Sequence, residues 1–255
     1  MSIDHVPEDM TATVDADVRL PELQAELARR GQWLPVDPPG APTIRELLDW
    51  NASGPHRCGF GTVREHLIGI RARLADGREI KAGGRVVKNV AGFDLCKLFV
   101  GARGTLGEIM AATFKLRPLP EAERFVRRNC ASLDEAGQLI DMVLNSPVTP
   151  VVLDLVSPAG LVVGFAGTLE EVKWQLSRLE FTEPATLSYN RALPHSTSVL
   201  PSKLIGTLRE LRAGEFIARV ANGVIYHAGP APAAEMPVPA LQQRLMEAFR
   251  ARADF

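Results

Sequence analysis

Residues 83–118, GGRVVKNVAGFDLCKLFVGARGTLGEIMAATFKLRP, constrain the fold of this chain more than any other stretch. Gly83 and Gly84 permit close backbone approach, residues 89–92 read as a loop, and residues 93–100 read as a short helix with Leu95, Leu98 and Phe99 on one face. Gly101 supplies the left-handed stop that helices favour. A second small-residue loop, residues 103–107, then runs straight into a strand over 108–116. Two such loops around one short helix fit either tight turns in a compact fold or a bulky ligand lying close to the backbone.

The 255 residues are 46% hydrophobic and 23% charged, enough apolar content for one large or two smaller cores. A formal net charge of −1 argues against a nucleic-acid partner held by a basic field. No run reaches the roughly 18 apolar residues of a membrane-spanning helix. The opening MSIDHVPEDM lacks the basic and apolar regions of a secretory signal, so a cytoplasmic location is expected. Three dispersed cysteines, Cys58, Cys96 and Cys130, form neither a disulfide framework nor a zinc pattern.

Alternation predicts a strand over 11–18, and Leu20, Leu23 and Leu27 mark a helix over 21–30 that ends at Gly31. The Pro-rich segment 31–42 is a loop. Thr43 and Glu46 form a capping box for a helix to Trp50, followed by a glycine-rich loop over 51–62. Residues 66–75 and 78–82 make a hairpin around Asp76-Gly77. Two prolines at 118 and 120 mark a boundary, giving domains 1–118 and 121–255.

Beyond it, short strands over 125–130, 151–156, 161–166, 215–220 and 224–227 alternate with helices. Ser132 and Glu135 cap the first helix, and Thr168 and Glu171 the second. Further helices are read over 202–212 and 239–252. The fold class is α+β with mainly antiparallel sheets.

The motifs DPPG (37–40), NASGPHR (51–57), Phe60-Gly61, VKNVAGFD (87–94) and GTLGEI (104–109) resemble the PCMH-type FAD-binding domain of the vanillyl-alcohol-oxidase-like family. Within it, the resemblance is strongest to the FAD-binding (E) subunit of glycolate oxidase. It continues through VGFAGTLEEVKWQ (163–175) and SVLPSKL (198–204). It implies a second FAD subdomain, with an antiparallel sheet and flanking helices, and then a smaller α+β cap domain. The first FAD subdomain, with its glycine-rich pyrophosphate loop, would be lacking.

The resemblance also implies non-covalent FAD, a small 2-hydroxy acid as substrate, and a second flavoprotein and an iron–sulfur subunit as partners, through which the chain would lie peripheral to a membrane. The cofactor-binding set it implies is Pro39, Gly40, Thr43, Ile44, Asn51, Ala52, Ser53, Gly54, Arg57, Gly61, Gly104, Thr105, Gly107, Glu108 and Ile109. Arg45 and Glu46 stand where relatives carry two glycines, and Glu46 puts a carboxylate where a phosphate would sit. That departure opens an alternative: an assembly subunit that keeps the fold and has lost FAD.

No catalytic residue is assigned, because neither a nucleophile–base arrangement nor an acid–base pair for a hydroxy acid is visible. His56 reads as a surface-loop residue, and His195 and His227 as structural, without a carboxylate at metal-ligand spacing. Arg57 is either a phosphate contact or a surface charge, and Trp33 and Trp50 are expected in the core.

Overall fold

The computed structural model describes residues 2–85, 95–181, 183–187, 193–212 and 214–230. The VKNVAGFD motif and the expected helix over 239–252 lie outside the described residues. The described chain forms two compact units. The first draws on Met1–Ser53 and Thr62–Leu119, the second on Gly54–Gly61 and Pro120–Ala234.

The first unit is built from β1 (Ile3–Val6), β2 (Thr11–Asp15), α1 (Leu20–Ala28), β3 (Gln32–Trp33) and α2 (Ile44–Asp49). After α3 (Arg57–Phe60), which belongs to the second unit, come α4 (Val63–His66), β4 (Leu67–Arg73), β5 (Glu79–Gly83), α5 (Cys96–Phe99), β6 (Glu108–Lys115) and β7 (Arg117–Pro118). Five strands pair antiparallel in the order β1-β2-β6-β4-β5. Period-two alternation sends Ala12, Val14, Ala112 and Phe114 into the core. There they meet Leu23 and Leu27 of α1 and Ile44, Leu47 and Leu48 of α2, each worth about 1.5–3 kcal/mol when buried. The β4–β5 hairpin turns where Asp76-Gly77 predicts, with Gly77 at φ 83°.

Local signals account for most of these elements, and the exceptions are instructive. The four-residue β1 is too short to show alternation and is not foreseen. The helix of α5 covers only four described residues, and its inner face is Cys96 and Phe99, whereas Leu95 is exposed. The stretch 51–62 is more than a loop. It contains the turn of α3, and Thr62 opens α4 with a capping box to Glu65.

The second unit comprises β8 (Ala122–Asn129), α6 (Leu133–Leu144), β9 (Val152–Val156), β10 (Gly160–Gly167), α7 (Leu169–Ser177), β11 (Glu183–Pro184), β12 (His195–Ser198), α8 (Leu204–Leu211), β13 (Phe216–Arg219) and β14 (Val224–His227). Its antiparallel sheet runs β11-β8-β10-β9-β13-β14-β12. Ala136, Ile140 and Val143 of α6, Val172 of α7 and Leu204 and Leu208 of α8 cover one core with Leu153, Leu155, Val163 and Phe165. Arg219 and Asp154, opposite each other on β13 and β9, form a buried ion pair. Removing either partner strands a charge out of water, a loss of about 3–5 kcal/mol. The edge strand β12, His-Ser-Thr-Ser, is polar and was not legible as a strand.

Candidate functional site

Helix α2 and the two loops around it gather most of the expected cofactor residues of the first unit. At the helix start Thr43 is the N-cap; its Oγ1 accepts the Glu46 N–H at 3.2 Å, while Glu46 Oε2 accepts the Thr43 N–H at 2.8 Å. The Ile44 and Arg45 amides donate to the carbonyls of Val18 (2.9 Å) and Ala16 (2.8 Å). The donors that helix geometry leaves over are therefore consumed by the chain itself. Hydrogen bonds from Thr43 keep the Glu46 carboxyl below its ordinary value, so the helix start carries a negative charge at neutral pH. Beside it Arg45 bonds Asp17 and Glu108, each at 2.8 Å. Burial works against its charge, yet the two carboxylates raise its pKa above the ordinary arginine value.

At the other end of α2 the chain is held in left-handed conformations. Asn51 has φ 46°, and across from it Gly101, Arg103 and Gly104 have φ 83°, 51° and 73°. The loops are zipped together, since Gly101 N–H donates to Leu48 O (2.9 Å) and Arg103 N–H to Asp49 O (3.3 Å). The Gly104 N–H donates to the Asp49 carboxylate. Burial raises the Asp49 pKa, with the Gly104 amide and Arg45 partly offsetting it.

Trp50, expected in the core, is instead 61% exposed, because α2 ends there and the Arg103 guanidinium caps its ring at 4.5 Å. Asn51 Oδ1 is buried and has no hydrogen-bond partner among the described residues. An unsatisfied buried acceptor costs about 1–3 kcal/mol, and a ligand donor would recover it.

The remaining expected residues divide. Pro39 and Gly40 lie in the loop before α2, with Gly40 at φ 85°, and Ala52 and Ser53 follow Asn51 half-buried. Thr105 Oγ1 donates to Ala102 O at 2.6 Å, Glu108 is engaged by Arg45 and Arg73, and the Ile109 side chain is in the core. Gly107, at φ 146°, is required by packing, because a Cβ there would lie 2.6 Å from Arg73 O. Gly54, Arg57 and Gly61 belong to the second unit, where Arg57 opens α3 and Gly61 (φ 81°) closes it.

His56 is corrected from a surface residue to a buried one in the second unit. Its Nε2 meets Glu123 Oε1 at 2.6 Å, and its ring contacts Phe60 and Phe125. Burial, reinforced by Asp154, pushes the Cys58 thiol up to about 11, so it is no thiolate nucleophile at neutral pH. Among the described residues no group of three or more His, Cys, Asp or Glu is placed to hold a metal.

This geometry tests the fit of FAD part by part. The start of α2 does not fit a pyrophosphate, because its amides are taken and a carboxylate stands there. The end of α2 fits a group bearing a hydroxyl or ring N–H, which Asn51 Oδ1 can accept.

Residues 2–83 match the family described as "FAD binding domain". The chain is 32% identical over 158 residues to glycolate oxidase subunit GlcD of Bacillus subtilis (strain 168), a match covering 61% of this chain and 34% of that protein. It is 34% identical over 137 residues to glycolate oxidase subunit GlcE of Escherichia coli (strain K12), covering 52% and 39%. A probable mitochondrial D-lactate dehydrogenase of Danio rerio is 37% identical over 123 residues, covering 47% and 25%. The chain thus spans about a third of the length of the curated relatives it matches.

A crystal structure of alkyldihydroxyacetonephosphate synthase superposes with a TM-score of 0.64 at 15% identity, covering 98% of this chain and 60% of the other, a likeness of fold. The chain is related to the PCMH-type FAD-binding oxidoreductases that include glycolate oxidase subunits and D-lactate dehydrogenases, and that relationship supports FAD as its cofactor.

Proposed function

We propose that the chain is an FAD-binding subunit of a glycolate-oxidase-like 2-hydroxy-acid dehydrogenase, with residues 1–118 serving as the second FAD subdomain and 121–255 as the cap. The observation that carries the reading is Asn51. Within the segment matching the FAD-binding family, it alone among the expected contacts holds a buried acceptor with no partner among the described residues, at a backbone bend braced by Gly101 and Gly104. Bound FAD supplies the two-electron acceptor for oxidation of a hydroxy acid. This chain's own part is to accept a cofactor N–H or O–H at Asn51 Oδ1 and to present the loop backbone beside it. The phosphates must be held by groups other than the start of α2.

The partners in this reading are a second flavoprotein and an iron–sulfur subunit. An iron–sulfur cluster takes four cysteine thiolates, and this chain has three cysteines, dispersed between the two units. This reading takes the chain as cytoplasmic and meeting a membrane through partners; among the described residues no helix is long and apolar enough to cross a membrane.

A second reading is favoured by the sealed start of α2: an assembly subunit of such a complex without flavin. Titration of the purified chain with FAD, followed by flavin fluorescence, separates the two. Saturable binding that weakens about tenfold in Asn51→Ala supports the first. A chain that binds no FAD yet captures the partner flavoprotein overturns it in favour of the second.

A further inference from the structure

The register of the second sheet brings together two histidines that lie far apart in sequence. His195 on β12 stands directly opposite His227 on β14, with both side chains on the core-facing side. Their ring centroids are 5.7 Å apart and tilted by 44°. We propose that His195 and His227 form a two-imidazole site for a divalent transition-metal cation of the zinc, copper or nickel type.

Three observations carry the proposal. The first is separation. Two imidazoles bound to one ion at about 2.0–2.1 Å stand with centroids roughly 5–6 Å apart, so the rings already have the required spacing. The second is an orphaned nitrogen. His227 is fully buried and its Nδ1 has no hydrogen-bond partner among the described residues. The third is orientation. His227 Nε2 lies 3.0 Å from Thr197 Oγ1 on the same face of β12. With its proton on Nε2, donated to that hydroxyl, the ring keeps a lone pair on Nδ1. This is the arrangement by which an outer hydroxyl or carbonyl fixes a metal-binding tautomer.

The surroundings are compatible with a neutral ligand. Burial, and then the His195 ring, hold His227 below its ordinary pKa, so it is uncharged at neutral pH. Opposite it on β13 is Phe216, and Thr197 and Ile225 complete the near face. No described His, Cys, Asp or Glu joins the pair as a third ligand, which leaves the remaining coordination positions to water. Such a site exchanges its ion readily and prefers imidazole-seeking cations to magnesium or calcium. An ion there would tie the polar edge strand β12 to β14, where the ladder is only four residues long.

The test is a titration of the full chain with Zn²⁺ by calorimetry and with Cu²⁺ by electron paramagnetic resonance, in a buffer without chelators. One ion per chain and hyperfine coupling to two imidazole nitrogens are expected. His195→Ala, at a half-buried edge position, should weaken Zn²⁺ at least about tenfold and abolish any rise in Tm that the metal gives the unaltered chain. Thr197→Val should weaken it by about the same factor through lost orientation. Equal affinity in His195→Ala, fewer than two coupled nitrogens in the unaltered chain, or no binding would each overturn the proposal. The spectroscopic count needs no variant and so holds even if His195→Ala fails to fold.

Discussion

The two ends of α2 are only six residues apart and are built on opposite principles. The start is closed: Thr43 and Glu46 cap each other, Ile44 and Arg45 spend their amides on Val18 and Ala16 just after β2, and Arg45 is held between two carboxylates. The end is strained and incomplete, with left-handed Asn51 and Arg103, an exposed Trp50 and an acceptor awaiting a donor. A helix start satisfied by its own chain offers an anion nothing, whatever its dipole. Backbone strain beside an unsatisfied polar group is what a ligand site stores. A segment's match to a family and its capacity to bind the family's ligand are therefore separate properties. Both ends lie in the FAD-binding match, and one has been filled in from within.

The largest effect should come from the turn that serves both ends. Gly107 leads into Glu108, which holds Arg45 at the start, while Gly104 donates to Asp49 at the end. Gly107→Ala would push a Cβ to 2.6 Å from the Arg73 carbonyl oxygen, whereas among the described residues nothing lies within 4 Å of one at Gly104. We expect a stability loss of about 3 kcal/mol for Gly107→Ala and about 1 kcal/mol for Gly104→Ala, from conformation alone, by urea unfolding. Equal losses would show that Gly107 is not selected by packing.

Next in size is the seal itself. Replacing Arg45 and Glu46 together by glycine removes a carboxylate and opens space at the helix start. FAD affinity should rise about tenfold, or 1.4 kcal/mol, in a fluorescence titration. An unchanged affinity would mean that the closed start does not oppose the cofactor, and the contrast between the ends would lose its meaning for binding. Thr43→Ala should cost about 1 kcal/mol of stability through the lost cap. It leaves the Glu46 charge in place, so it should not improve FAD binding. An improvement would assign the obstruction to the cap and not to the carboxylate.

What could be read from the sequence was local. The capping boxes at Thr43 and Thr168 and the turn at Asp76-Gly77 depend on residues a few positions apart, and they fold as their chemistry dictates. The family motifs likewise pointed to α2 and its loops. What was not legible depends on partners brought in from a distance. His56 is buried by Phe60, Phe125 and Glu123, and Trp50 lies exposed where α2 ends, with only Arg103 from another loop stacked on its ring. The closure of the helix start needs Val18, Ala16, Asp17 and Glu108, none of which a capping pattern names. The polar β12 carries no hydrophobic alternation, so the pairing of His195 with His227 has no sequence signature.

The smallest effect is the most discriminating. Asn51 tolerates φ 46° better than most residues because its short polar side chain suits the left-handed region, but glycine is more at ease there. If Asn51 served only the turn, Asn51→Gly would be neutral or stabilising in every assay. Its Oδ1 is buried and unpaired among the described residues, so the side chain adds an unsatisfied acceptor to the strain. Asn51→Gly should therefore raise stability by about 0.5 kcal/mol, a gain partly offset by the extra freedom of glycine in the unfolded chain. The same change removes the one acceptor assigned to the cofactor, so FAD affinity should fall while stability rises. Opposite signs in thermal unfolding and FAD titration are the signature of a residue kept for binding. A parallel rise in both would return Asn51 to the backbone and leave the open end of α2 without a ligand contact.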